Sequence, residues 1–349
     1  MNRIHIRLAV SVAWLATIGL GGASVARLAG CKRANPGDES ASVRLYYSVD
    51  EGFARAVLER FTSETGIKIA AIPDSEAGKT TGLVNRIRAE ANRPHADVFW
   101  SSELFNTMLL AREGMFEPYD PPTAADVPAR FKDEGRRWTA TALRGRVIAF
   151  DPSRMGDTPI PTTWEQLAEA DIAPHVAFAN PLFGTTRGHV AAMFAAWGKE
   201  RGRAFLTGLR GNGALMVDGN SAAVRAVIAG RAKIAMTDTD DVWVAQGSGA
   251  TLTARYLDMG DGGTLLIPCS VALIKGGSNA AAARKLVDYL VSADVERALA
   301  LSDSRNVPVR EPLRRELEVS LPPATSIPFD EIADAMDESA AAVREILIR

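Results

Sequence analysis

The stretch VRLYYSVDEGFARAVLERFTSETGIKIAAI, residues 43–72, contains both periods of regular structure within one short span. Val43–Tyr47 is apolar, aromatic and β-branched, which predicts a strand. Phe53, Ala54, Val57, Leu58 and Phe61 then recur at helical spacing, and Gly66 stands where a helix would close. Ile67–Ile72 returns to strand composition.

The same alternation continues along the chain. A helix is predicted over Thr80–Asn92, ahead of Pro94, and a strand over Ala96–Trp100. Val176–Ala179 leads into a helix over Thr185–Trp197, Leu215–Val217 into Ser221–Ala229, and Lys233–Met236 into Asp240–Gln246. Repeated strand–helix units predict an α/β fold with largely parallel sheets. No internal repeat of fixed period is visible.

Two stretches, Arg146–Phe150 after a basic Gly-containing turn and Thr264–Ile267 after the Gly260–Gly263 loop, read as crossings between domains. They predict one lobe from 43–143 with 265–320, a second lobe from 144–264, and a helical C-terminal segment, 321–349, with a helix from Phe329.

The N-terminus reads differently. Arg3, His5 and Arg7 precede the apolar run Leu8–Leu20, and small residues lead to Leu28-Ala29-Gly30-Cys31. A basic start, a short apolar core and a small-residue cleavage site predict an export signal over 1–30. The apolar run is short for a membrane span. Leu-Ala-Gly-Cys resembles the bacterial lipobox, which makes Cys31 the acylated first residue of an exported protein and 31–42 a polar tether.

Charge excludes one partner class. Lys and Arg number 40 against 42 Asp and Glu. Removing Arg3, Arg7 and Arg27 with the leader leaves 37 against 42, a net −5. Such a chain lacks the basic footprint of nucleic-acid binding. Cys269, the second of two cysteines, lies in an apolar run and reads as a buried small side chain.

In α/β sheets ligands bind where strands end and helices begin. Short polar residues mark five such ends: Ser48-Val49-Asp50-Glu51, Ser101-Ser102-Glu103, Asn180 to Thr186, Gly219-Asn220-Ser221, and Thr237 to Asp241. Each taken singly is a good helix cap; five on both expected lobes predict a shared cleft. Gly184-Thr185-Thr186 is the expected anion cradle, with Arg144 closing over the anion. Asp238, Asp240 and Asp241 favour a cation or ammonium, or else serve as first-turn acids.

Enzyme motifs fail on spacing. Gly78-Lys79-Thr80 lacks the phosphate loop's first glycine, since residue 73 is Pro, and Gly247-Ser248-Gly249 makes no nucleophile elbow. Outside the leader the histidines are His95, His175 and His189, without an i, i+4 pair for zinc.

Taken together, Phe61–Lys68, Ala96–Ser101, Ala179-Asn180-Pro181, Gly219–Ala222 and Gly230–Asp241 resemble the periplasmic ferric-iron-binding proteins of ABC importers, over about Val43 to Val309. The resemblance implies a two-lobed type II clamshell, each lobe a mixed sheet flanked by helices. It also implies a monomer that docks on a permease with its ATPase. Residues matching the family's synergistic-anion pocket are Gly184, Thr185, Asn220 and Arg144, with Phe183 in place of a usual Ser. The ferric ligands do not match. The His position falls on Asp50, the Glu position on Ser102 with Glu103 next to it, and the Tyr pair on Asp240 and Asp241.

Two ligands fit. One is a metal ion, iron or another hard cation, with a bridging anion; the other is a small zwitterion such as an aminophosphonate. The expected set is therefore Ser48, Ser101, Ser102, Arg144, Gly184, Thr185, Thr186, Asn220 and Ser221 toward the anion, and Asp50, Glu103, Asp238, Asp240 and Asp241 toward the cation. No resident cofactor is expected. A sensor lipoprotein, or an enzyme with Asp240 or Asp241 as base, is the alternative of another class.

Overall fold

A computed structural model describes residues 42–74 and 80–348. The export signal, Cys31 and the tether, together with Gly78 and Lys79, lie outside the described residues.

The first unit is β1 (Ser42–Tyr47), α1 (Glu51–Thr65) and β2 (Lys68–Pro73). Ala54, Val57, Leu58 and Phe61 are the buried face of α1, as their spacing predicts, and burying a side chain such as Phe61 stabilises by ~1.5–3 kcal/mol. Gly66 closes the helix at φ 71°, its N–H donating to Thr62 O at 2.9 Å. Next come α2 (Thr81–Ala89), β3 (Val98–Ser101), α3 (Phe105–Arg112), β4 (Phe116–Glu117) and the long β5 (Thr139–Phe150). The middle of the chain forms β6 (Val176–Ala179), α4 (Gly184–Trp197), α5 (Lys199–Gly211), β7 (Leu215–Val217), α6 (Asn220–Ile228), β8 (Ile234–Asp238), α7 (Thr239–Gly247) and β9 (Thr253–Tyr256). The last part is β10 (Leu266–Ile274), α8 (Ala280–Leu290), α9 (Ala293–Leu301), α10 (Glu311–Glu316), α11 (Phe329–Asp334) and α12 (Met336–Val343).

Ten strands make one sheet in the order β2-β1-β3-β10-β5-β8-β6-β7, with β4 on β10 and β9 on β5. Strands β1, β2 and β3 pair in parallel, as do β6, β7 and β8. All pairs made by β5 and β10 are antiparallel, so the sheet is more mixed than alternation alone predicts. The reason is that β5 serves both ends of the sheet. Its Thr139–Gly145 part pairs β10 and its Arg146–Phe150 part pairs β8, while β9 pairs it over Val147–Phe150. The chain passes from one sheet half to the other inside this one fully buried strand.

The halves also touch beside the cleft. Thr81 Oγ1 donates to Leu182 O at 3.3 Å and Arg187 Nη1 to Asn106 Oδ1 at 2.7 Å. A Cβ at Gly188 would come within 2.3 Å of the Phe105 ring, so only glycine lets α4 approach α3 this closely. The C-terminal segment is two helices rather than one, turning at Ala335. It straddles the halves: α11 packs on α3 and α4, α12 on α4 and α5. Arg112 pairs with Asp330 and Asp334, each at 2.7 Å.

Candidate functional site

In a strand, residues two apart face the same way and their neighbour faces the opposite way. Arg144 and Arg146 therefore share one face of β5, and Gly145 the other. A Cβ on Gly145 would lie 2.4 Å from the Tyr256 ring, which packs onto the glycine, while the Gly145 N–H donates to Thr239 Oγ1 at 3.1 Å. This pins β5 to the start of α7, where the aspartates stand.

Arg146, fully buried, is the register partner of Asp238 across β5 and β8, and its Nη1 meets Asp238 Oδ1 at 2.8 Å. Asp238 Oδ2 accepts from Thr185 Oγ1 at 2.5 Å and from Asn220 Nδ2 at 2.8 Å. Asn220 Oδ1 accepts from Thr186 Oγ1 at 2.9 Å. One buried carboxylate thus ties together the N-terminal turns of α4, α6 and α7. Arg146 Nε donates to Nδ1 of His189, whose ring sits edge-on to Trp164. Burial, with the guanidinium alongside, holds His189 well below its usual pKa and therefore neutral.

Arg144 occupies the centre of the acidic group. Its Nη1 lies 3.1 Å from Asp240 Oδ2, 3.6 Å from Asp238 Oδ2 and 3.9 Å from Asp50 Oδ2. Its Nε and Nη2 are buried and make no hydrogen bond among the described residues. Asp240 is 2% exposed and its Oδ1 likewise has no partner. Burial pushes the Asp240 carboxyl up to about 8: Arg144 opposes the rise, whereas Asp241, Asp238 and Asp50 add to it. Burial alone would lower Arg144, but Asp240, Cys269, Asp238 and Asp50 together raise it well above its ordinary value. The two shifts differ because Arg144 sees several acids, whereas Asp240 sees one nearby cation and three like charges. Asp238, Asp240 and Asp241 can bring one oxygen each within 4.8 Å of one another.

Two cavities open here and meet at Asp241. The small one, about 20 Å³, is lined by Ser102, Arg144, Asn180, Gly184, Thr185, Thr186 and Asn220 among others. The wide one, about 1080 Å³, runs from Asp50, Ser221, Asp240 and Asp241 out between α1, α6, α7 and α9.

The structure thus brings together Ser102, Arg144, Gly184, Thr185, Thr186, Asn220 and Asp241 around one cavity, and Asp50, Ser221, Asp240 and Asp241 around the other. It places four of the expected residues elsewhere. Asp238 lies beneath the cavities, its oxygens taken by Arg146, Thr185 and Asn220. Ser48 is buried behind Ser102, its Oγ accepting from Ser102 N at 2.9 Å and from Thr80 Oγ1 at 3.0 Å. Ser101 Oγ closes a turn onto Glu103 O at 2.6 Å. Glu103, expected toward the cation, is a correction. Its carboxylate accepts from the N–H groups of Phe105 at 2.8 Å and Asn106 at 3.2 Å, because the free donors of α3 demand an acceptor. Arg146 and His189 were not anticipated; the Arg-Gly-Arg pattern at strand period was the available signal.

Residues 93–333 match the family of bacterial extracellular solute-binding proteins. The chain belongs to that family. A probable ABC transporter periplasmic-binding protein, y4fP, of Sinorhizobium fredii is 30% identical to this solute-binding protein over 276 residues, covering 73% of this chain and 74% of the relative. Among solved structures, the ferric binding protein of Campylobacter jejuni superposes with a TM-score of 0.77 at 20% identity, covering 87% of this chain and 99% of that one. AfuA of Actinobacillus pleuropneumoniae, with fructose-6-phosphate bound, gives 0.76 at 18% identity, covering 88% and 99%. The fold is the two-lobed clamshell of these binding proteins, and the relatives are binders rather than enzymes. No helix among the described residues is long and apolar enough to cross a membrane.

Proposed function

We propose that this protein is the solute-receiving lipoprotein of an ABC importer. On this reading it is held at the membrane by acylated Cys31 and works as a monomer that delivers to a permease and ATPase. The lobes are 43–143 with 265–320, and 144–264. The ligand is a small zwitterion held between them. Its anionic end lies on the first turn of α4, on Asn220 and on Arg144; its ammonium faces Asp50, Asp240 and Asp241.

The observation that carries this reading is the position of Arg144. Its buried Nε and Nη2 make no hydrogen bond among the described residues and are left for the anionic end of the ligand, while Nη1 lies 3.1 Å from Asp240 Oδ2. Among the described residues no tyrosine lines the small cavity, and the hydroxyl of Tyr289, which lines the wide one, donates to Val57 O. Tyr46 bonds Glu90, Tyr119 bonds Asp288, Tyr256 covers Gly145, and Tyr47 lines a separate surface groove. The oxygen geometry of Asp238, Asp240 and Asp241 favours a second reading, a hard cation bridged by an anion. Closure follows from differential affinity, since a ligand touching both lobes stabilises the state in which both contact it.

The test is thermal shift of the full-length protein in mild detergent with 2-aminoethylphosphonate, inorganic phosphate, and Fe(III) with and without carbonate. At a hundred times its dissociation constant a ligand stabilises by ~2.7 kcal/mol. A shift with the phosphonate supports the zwitterion; a shift with Fe(III) that grows with carbonate, and none with the phosphonate, replaces it with the metal reading.

A further inference from the structure

The wide cavity is far larger than either charged end of the proposed ligand requires. An ammonium at Asp240 and an anion in the small cavity leave most of its 1080 Å³ unexplained. Its walls carry an apolar cluster, Phe53 and Val57 from α1, Ile228 from α6, Val244 from α7 and Leu301 from α9, alongside polar residues such as Arg60, Arg225 and Tyr289. Leu301 is 71% exposed, Val244 46% and Ile228 45%, so three of the five large apolar side chains that stay exposed among the described residues border this one cavity. Scattered exposed apolar residues need no explanation, but a cluster rimmed by polar groups marks a binding surface.

A second observation gives the occupant its direction. Asp240 lines the floor of the cavity, is 2% exposed, and carries an Oδ1 with no partner. An unpaired buried carboxyl oxygen is costly, and a cationic donor at Oδ1 satisfies it while favouring the ionised carboxylate over the protonated form that burial otherwise holds. A donor seated at Oδ1 has a polar floor beneath it and the apolar cluster of Phe53, Val57, Ile228, Val244 and Leu301 within the walls around the rest of the molecule. Small-molecule pockets are built this way, mostly apolar with few placed polar groups.

We infer that the transported solute is an amine-bearing anion with an apolar body of amino-acid side-chain size, aryl or branched alkyl, lying between α1 and α7. The inference rests on the zwitterion reading above and narrows its substrate class. The body bridges the first lobe through Phe53 and the second through Val244, so it adds to the contacts that favour closure.

Calorimetry on the full-length protein in mild detergent tests it with two probes, 2-aminoethylphosphonate and 1-amino-2-phenylethylphosphonate. The phenyl compound is expected to bind at least tenfold more tightly, equivalent to about 1.4 kcal/mol. A Val244→Ser, Leu301→Ser double variant, altered at exposed positions and checked for unchanged melting, brings the two compounds within threefold. Equal affinities in the wild type, or a phenyl advantage that survives in the double variant, overturns the apolar body and leaves the zwitterion reading standing. Binding by neither compound overturns both.

Discussion

Arg144 Nη1 and Asp240 Oδ2 stand 3.1 Å apart with their side chains 3% and 2% exposed, one on the strand shared by both sheet halves and the other in the first turn of α7. The pair does not satisfy either partner. Among the described residues Arg144 Nε and Nη2 and Asp240 Oδ1 have no hydrogen-bond partner, which is the feature the proposed ligand would meet.

The pH dependence of stability follows from Asp240. Its folded pKa of about 8 lies above the ordinary 3.8, so between those values the native state holds a proton that the unfolded chain has released. Stability therefore falls as pH rises from about 4 through 8. Asp240→Asn removes this dependence and is expected to melt higher than the wild type at pH 8, with a smaller difference at pH 5. Glu296, raised to about 7 by burial, leaves a residual slope of the same sign in both proteins. Parallel melting curves across pH 5–9 would show that Asp240 titrates normally.

Arg144→Ala is expected to weaken binding of a phosphonate-bearing ligand at least tenfold by calorimetry, because charge-assisted contacts to a planar fork are lost. Arg144→Lys restores part of this only, since one ammonium cannot present both Nε and Nη2. Full recovery in the lysine variant would mean that only the charge matters there.

Arg146→Met leaves the buried Asp238 side chain with its strongest partner gone. Breaking a buried pair from one side costs about 3–5 kcal/mol, so the urea midpoint is expected to drop markedly. Adding Asp238→Asn should recover part of the loss. If the single variant melts like the wild type, the pair is not the tie between α4, α6 and α7.

Cys31→Ser tests the anchor. The variant is expected in the soluble fraction after cell lysis, and continued sedimentation with membranes excludes acylation at this residue.

Much of the fold was legible because period is a local property. The helix over 51–65 and the strand over 176–179 follow directly from apolar spacing and from Gly66. The antiparallel role of β5 was hidden, since a twelve-residue strand buried throughout carries no alternation to read. The site divides the same way. Gly184, Thr185, Asn220 and the aspartates announce themselves as short polar residues after strands. Glu103 misled because an acid that caps its own helix has the same local sequence as one that faces a ligand. The apolar rim was invisible, as Phe53, Val244 and Leu301 are far apart in the chain and each alone looks like ordinary core.

The single strand common to both sheet halves has a mechanical consequence. On the two-lobe reading proposed above, the strand shared by both sheet halves is the natural pivot, and side chains near a pivot change their distances least. Arg144 on that reading presents Nε and Nη2 almost equally with the jaws apart or together, while Arg146 stays bonded to Asp238 beneath the cavities. Side chains at the end of a long lever, Phe53 and Leu301 on one jaw and Val244 on the other, travel furthest. Selection of what enters belongs to the pivot, and the signal that the jaws have shut belongs to the rim.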